Sequence, residues 1–144
     1  KILPYGTALV GCLLLITKGA DIGAFIIGSL WGRHRLLPRI SPKKTWEGAL
    51  MGFLGALAGV VLLQLIYERL GIAFALALPQ TLIVGTIAGT IGQLGDLAES
   101  LLKRDAQVKD SGALLPGHGG ILDRFDSLLF VAPAVYMYVH FFLF

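Results

Sequence analysis

Residues 48–66 read GALMGFLGALAGVVLLQLI, nineteen positions without a charged side chain and with Gln64 as the one polar group. At ~1.5 Å per residue a helix of that length reaches roughly 28 Å, close to the ~30 Å hydrocarbon thickness of a bilayer. Its glycines, at 48, 52, 55 and 59, recur at three- and four-residue spacing. That spacing lets helix backbones approach closely where no water competes. The stretch therefore predicts a transmembrane helix with close neighbours, and the expected fold class is an all-α, polytopic transmembrane helix bundle.

The rest of the chain agrees. Of 144 residues 56% are hydrophobic and 15% charged, against roughly 25% charged in soluble domains. Upstream, an apolar run at Ile2–Thr17 is followed by Lys18-Gly19-Ala20-Asp21 and a shorter run, Ile22–Gly32. Neither run alone has the ~20 residues of a typical span, and the reading favours a span interrupted near Lys18–Asp21. Residues 33–47, RHRLLPRISPKKTWE, hold Pro38 and Pro42, which forbid a regular helix. Downstream, Gly71 opens a turn and a second apolar stretch covers Ile72–Leu94, with Pro79 in its first helical turn. This helix is expected to continue without a breaker through Asp96–Arg104. Residues 105–120 read as loop, and Ser127–Phe144 as a last apolar segment.

Cys12, the one cysteine, lies inside an apolar run. It has no partner for a disulfide or a zinc site, so cysteine chemistry is excluded and a packing role expected. No small-residue cleavage site is placed for a signal peptide. The expected organisation is a single catalytic domain over residues 1–144, the C-terminal part of a longer chain.

The loops at 33–47 and 96–126 are separated by two spans and so fall on one side. The first carries five Lys/Arg before its single acid, Glu47, which predicts a cytoplasmic position for both. The expected location is the inner membrane of a bacterium. Residues 95–126, GDLAESLLKRDAQVKDSGALLPGHGGILDRFD, crowd six acids and four Lys/Arg beside the membrane. On a helix Asp96, Ser100 and Lys103 share a face, with Glu99 one position to the side. Acids that abut spans are costly and usually functional. A Pro-Gly-His-Gly-Gly run offers unobstructed backbone N–H groups of the kind that bind phosphate. Carboxylates suit Mg²⁺, and nearby cations suit phosphate. Together these point to Mg²⁺-assisted transfer at phosphorus, without naming a substrate.

Ser100-x-x-Lys103-Arg104, Lys109-Asp110 and Pro116-x-His118-Gly119-Gly120-x-x-Asp123-Arg124-x-Asp126 resemble the signature of the phosphatidate cytidylyltransferase family. The upstream Ile40–Gly48 block, ISPKKTWEG, is similar to a second block of that family. Asp21-Ile22-Gly23-Ala24-Phe25 is a looser version of its Asp-x-x-Ala-Tyr segment. The resemblance implies that CTP and phosphatidic acid give CDP-diacylglycerol and pyrophosphate. It assigns catalytic roles to Asp96, Lys103, Arg104, Lys109, Asp110, Asp123 and Asp126. Asp96 and Asp123 would hold Mg²⁺, and Lys103, Arg104 and Lys109 the triphosphate. Ser41, Lys43, Lys44, Thr45, Ser100, His118, Gly119, Gly120 and Arg124 are the implied substrate-binding residues, with Arg124 on a lipid phosphate. His118 either donates to the leaving pyrophosphate or caps the turn. Lys43, Lys44 and Thr45 either contact nucleotide or anchor the loop on anionic lipid.

Asp21 has two readings, a functional intramembrane acid or a partner for Lys18, and Glu99 is expected to pair with Lys103 at i,i+4. CTP and phosphatidic acid are the expected substrates, the lipid bilayer the expected surroundings, a homodimer an allowed assembly, and nucleic acid no partner. The competing readings are another CTP-dependent lipid enzyme (a polyprenol kinase or an archaeal lipid cytidylyltransferase), a transporter, and an inert assembly subunit. Pyrophosphate release separates cytidylyl transfer from a kinase. A transporter would spread its acids through the spans.

Overall fold

The computed structural model describes residues 3–71, 76–108, 111–112, 120 and 122–142. In chain order these form α1 (Leu3–Trp31), β1 (Arg35–Leu37), β2 (Ser41–Thr45), α2 (Trp46–Arg69), α3 (Leu78–Asp105) and α4 (Leu122–Phe142). All four helices are long and apolar enough to cross a membrane, and the chain is an integral membrane protein.

The interruption expected near Lys18–Asp21 does not occur, because α1 is one helix of 29 residues. No proline falls there. A single glycine costs about 1 kcal/mol, less than leaving backbone groups unpaired in lipid. Lys18 Nζ lies 3.5 Å from Asp21 Oδ2, one turn away.

Helix is absent from residues 33–45, as Pro38 and Pro42 require, while Trp46 and Glu47 already belong to α2; the segment is more regular than its composition suggests. It forms an antiparallel hairpin, with Arg35 opposite Thr45 and Leu37 opposite Ser41. A two-stranded ribbon has only edges, where proline is tolerated. Thr45 is buried, and its hydroxyl caps α2 by accepting from the Gly48 N–H at 3.1 Å. The His34 carbonyl accepts from the Trp46 N–H at 3.0 Å, and His34 Nδ1 lies 2.7 Å from Glu47 Oε1. The hairpin is thereby stitched to the start of α2.

The helices meet through small residues. A Cβ at Gly48 would stand 2.8 Å from the Ala24 carbonyl oxygen, and one at Gly52 2.9 Å from the Ala24 Cβ. At Gly85 it would reach Val60 Cγ1 at 2.7 Å, and at Gly95 the Phe130 ring. Among the described residues the repeat on α2 is used only in part, since none of them lies within 4 Å of a Cβ at Gly59. Ile16, Val60, Val84, Val131 and Val135 form the buried centre, with Cys12 among them.

Gly71 turns the chain after α2 with φ +68°. Pro79 sits in the first turn of α3, and the Ala77 N–H is capped by the Gln80 side chain at 2.9 Å. As expected, α3 runs unbroken through Asp96–Arg104. Gln107 ends it in the left-handed region at φ 56°, while the Lys103 carbonyl accepts from the Val108 N–H at 2.9 Å. These contacts close the helix end before the loop.

Candidate functional site

The site forms where the hairpin, the second half of α3 and the first turn of α4 meet. Asp96 and Glu99 lie one turn apart on α3, and Asp126 faces them from α4. One carboxylate oxygen from each lies within 4.8 Å of the others. Glu99 is 4% exposed, and neither of its oxygens accepts a hydrogen bond among the described residues. Its nearest charge is Lys103 Nζ, 3.2 Å from Oε2 and one turn along α3, the pairing expected from the sequence.

Two lysines enter the cluster. Lys44 Nζ reaches from β2 to Asp96 Oδ2 at 2.5 Å. Lys103 Nζ also lies 2.7 Å from Asp123 Oδ1. Fully ionised, Asp96, Glu99, Asp123 and Asp126 would carry four negative charges against two positive ones on Lys44 and Lys103, a formal balance of −2. Unbalanced carboxylates at such separations repel strongly in a partly buried site. A hard divalent cation among oxygen ligands removes that imbalance, and the orphaned Glu99 carboxylate marks where the fit is best.

Asp123 stands differently. Its Oδ2 accepts from the Ser111 N–H at 2.9 Å, the Ser111 hydroxyl at 2.8 Å and the Gly120 N–H at 2.8 Å. Burial works against its charge, but Lys103 and these donors outweigh burial and hold the carboxyl well below the ordinary range. The resemblance assigns Mg²⁺ to Asp96 and Asp123. The folded chain gives each a lysine from another part of the sequence, and sets Glu99 and Asp126, rather than Asp123, around Asp96.

The other expected residues divide in two. Lys43 and Lys44 line a cavity of about 450 Å³ with Asp21, Arg35, Gln93 and Asp96. Thr45 also borders it, with its hydroxyl committed to the α2 cap. Ser100 is half-buried on α3, and Ser41 half-buried on β2 opposite Leu37. Arg104 is exposed, and its Nε donates to the Ile40 carbonyl at 3.3 Å, tying the end of α3 to the hairpin turn. Gly120 was expected to offer its N–H to phosphate, but that N–H points to Asp123. A Cβ on Gly120 would collide with the Ser111 hydroxyl, so close passage of two loop strands requires the glycine. Lys109, Asp110, His118 and Gly119, and the side chain of Arg124, lie outside the described residues.

Two participants escaped the sequence reading. Glu99 was read only as the partner of Lys103, although its i+3 spacing from Asp96 put both carboxylates on adjoining positions of one face. Arg35 lines the cavity from β1, and only the hairpin register brings it there. Cavity, hairpin and acids occupy one end of the bundle, consistent with both polar loops lying on one side.

A sequence model described as the cytidylyltransferase family matches residues 2–142. A curated phosphatidate cytidylyltransferase of Staphylococcus saprophyticus is 52% identical over 119 residues, covering 83% of this chain and 44% of its own length. That of Bacillus subtilis is 46% identical over 132 residues, 92% of this chain and 47% of its own. One from Synechocystis is 52% identical over 124 residues, 83% of this chain and 39% of its own. The chain thus spans less than half the length of these relatives.

Proposed function

The chain belongs to the cytidylyltransferase family, and from that premise we propose that it carries the reaction of CTP with phosphatidic acid. A phosphate oxygen of the lipid attacks the α-phosphorus of CTP, and the bond to the β-phosphate oxygen breaks. The products are CDP-diacylglycerol and pyrophosphate. The observation that carries the reading is the cluster of Asp96, Glu99 and Asp126, with Glu99 buried and facing Lys103 as its one ion-pair partner among the described residues, at the edge of a cavity lined with cations. The names of the matched relatives support the same substrates.

Asp96, Glu99 and Asp126 would hold Mg²⁺, with Asp123 closing the loop beside them. The bound ion supplies charge neutralisation at the phosphate oxygens. Lys44 and Lys103, now paired to acids, are placed to exchange those partners for phosphate oxygens when nucleotide enters. Arg35 and Lys43, with no ion pair among the described residues, present cations at the cavity wall. They suit the lipid phosphate, which arrives as an anion from the membrane surface. Asp21 borders the cavity and pairs with Lys18 one turn away. The polar end of the bundle faces the cytoplasm, where CTP is supplied.

The experiment is direct. Membranes holding the full-length protein are given CTP, phosphatidic acid and Mg²⁺, and scored for lipid-bound CMP and pyrophosphate. CDP with a phosphorylated lipid would replace this reading by a kinase, and no product from CTP would end it.

A further inference from the structure

The β1–β2 hairpin leaves the bundle between two exposed tryptophans. Trp31, at the end of α1, is 71% exposed, and Trp46, at the start of α2, is 63% exposed. Trp46 heads a stripe with Leu50 and Leu54, each one turn further along α2 and each exposed, on a face that a membrane-spanning helix turns to lipid. Leu37 of β1 lines the same lateral groove as Trp46 and Leu50. Tryptophan at the end of a span settles where hydrocarbon gives way to headgroups. The two tryptophans thus set the depth of the hairpin, and its strands begin at headgroup level.

Residues 33–45 hold five Lys/Arg and no acid. The site absorbs three of them, since Lys44 meets Asp96 while Arg35 and Lys43 border the charged cavity. Arg33 and Arg39 are exposed, line no part of that cavity and have no ion pair among the described residues. Arg39 occupies the hairpin turn, which the Ile40 N–H closes by donating to the Leu37 carbonyl at 3.2 Å. Arg104 of α3 ties down the Ile40 carbonyl, and His34 with Glu47 ties down the base. A ribbon held at both ends loses little freedom when a ligand meets its charges.

We propose that the hairpin is a docking surface for anionic phospholipid headgroups, with Arg33 and Arg39 meeting lipid phosphates at a depth set by Trp31 and Trp46. Cations at a leaflet surface each favour an anionic lipid on the order of fivefold. The apolar residues decide for lipid over a soluble acidic partner. Leu37 and Trp46 continue the lipid-facing stripe of α2, which a partner arriving from water does not reach. Docked lipids need not react, so the docking is independent of the reaction proposed above.

The test uses full-length protein that keeps Trp46 as its sole tryptophan, with Trp31→Phe and any other tryptophan likewise replaced. It is reconstituted in phosphatidylcholine bilayers with rising fractions of phosphatidylglycerol or phosphatidylcholine whose chains carry bromine, a contact quencher of tryptophan. Brominated phosphatidylglycerol is expected to quench Trp46 at a mole fraction roughly fivefold lower than brominated phosphatidylcholine. Arg33→Gln with Arg39→Gln should bring the two lipids within about twofold of each other. Salt at ~1 M, where screening acts within about 3 Å, should do the same to the parent. Arg33→Lys with Arg39→Lys should keep the preference, because a point charge suffices. Arg69→Gln, at the other end of α2, should leave it unchanged. Equal quenching by the two lipids in the parent overturns the proposal, as does a preference that survives the glutamine pair. Absence of quenching by either lipid also overturns it, since protein would then cover the hairpin. If the glutamine pair lowers the thermal midpoint, the salt series on the parent decides. Turnover enters none of these readings, so failure of the docking and failure of the reaction are separate results.

Discussion

Glu99→Gln removes a charge from a buried carboxylate that accepts no hydrogen bond among the described residues and stands 3.2 Å from Lys103. One of its oxygens lies within 4.8 Å of the Asp96 and Asp126 carboxylates. At that distance a like-charge pair costs roughly 3–4 kcal/mol at an effective dielectric constant of ~20, offset in part by Lys103. Without Mg²⁺ the variant should therefore be at least as thermostable as wild type. With Mg²⁺ the order reverses. An ion at a hundredfold excess over its Kd stabilises the folded protein by about 2.7 kcal/mol. For a domain of this size that is on the order of 5–10 °C in thermal midpoint. Wild type should show that rise, and Glu99→Gln should lose most of it. Turnover in the variant should fall at least ~100-fold, the scale of one lost electrostatic contact in a transition state. Thermal melts of purified protein with and without Mg²⁺, beside the pyrophosphate assay, give both readings. A wild-type midpoint indifferent to Mg²⁺, or a Glu99→Gln variant with an unchanged rise and normal turnover, would refute the assignment of the ion to this cluster.

Asp123→Asn should lower the thermal midpoint at pH 7, because it weakens the tie to Lys103, Ser111 and Gly120. The folded carboxyl is held below its unfolded value. Its stabilising contribution is therefore complete above the ordinary aspartate range, and lost only as pH falls below about 4 toward the lowered value. A pH series of melts should show that acid limb in wild type and a weaker one in Asp123→Asn. Gly120→Val should abolish turnover while the protein still inserts, since the side chain collides with Ser111; near-normal activity with retained insertion counts against the loop closure. Cysteines placed singly at Ser41 and Ser111 in a Cys12→Ala background should react with a membrane-impermeant reagent from the cytoplasmic side alone, and labelling from opposite sides contradicts a shared site.

The parts of this structure that were legible in sequence are those fixed by local rules. Residues 48–66 announce α2 by length and apolarity, and Pro79 marks the start of α3 because only a first turn tolerates it. The break assigned to α1 failed for a physical reason. A lysine and an aspartate one turn apart can pair, and in lipid an unbroken helix costs less than an opened backbone. The hairpin was hidden because proline, which excludes helix, says nothing of which strand will pair with which. The site was half visible. Asp96, Glu99 and Lys103 share a helix face, and helical periodicity shows it. The pairs Lys44–Asp96 and Lys103–Asp123 depend on how the hairpin and α4 dock against α3, and no local pattern encodes that. Gly59 illustrates the converse, a residue of the right type at the right spacing with no neighbour within 4 Å of a Cβ among the described residues.

The unbroken course of α3 also has a mechanical consequence. The same rod that is apolar through Leu94 carries Asp96, Glu99 and Lys103 in its next turns, so the acids ride at a fixed height above the helix's lipid-facing belt. The phosphate of a phospholipid rides at a height set by the thickness of its own leaflet. The two heights must coincide for the groups to meet, and a continuous helix has no joint with which to adjust one against the other. A thicker or thinner bilayer can be met only by tilting the helix or deforming the membrane around it, at fractions of a kcal/mol per Å. For the proposed reaction, the rate should thus peak at one bilayer thickness when non-substrate lipids are varied.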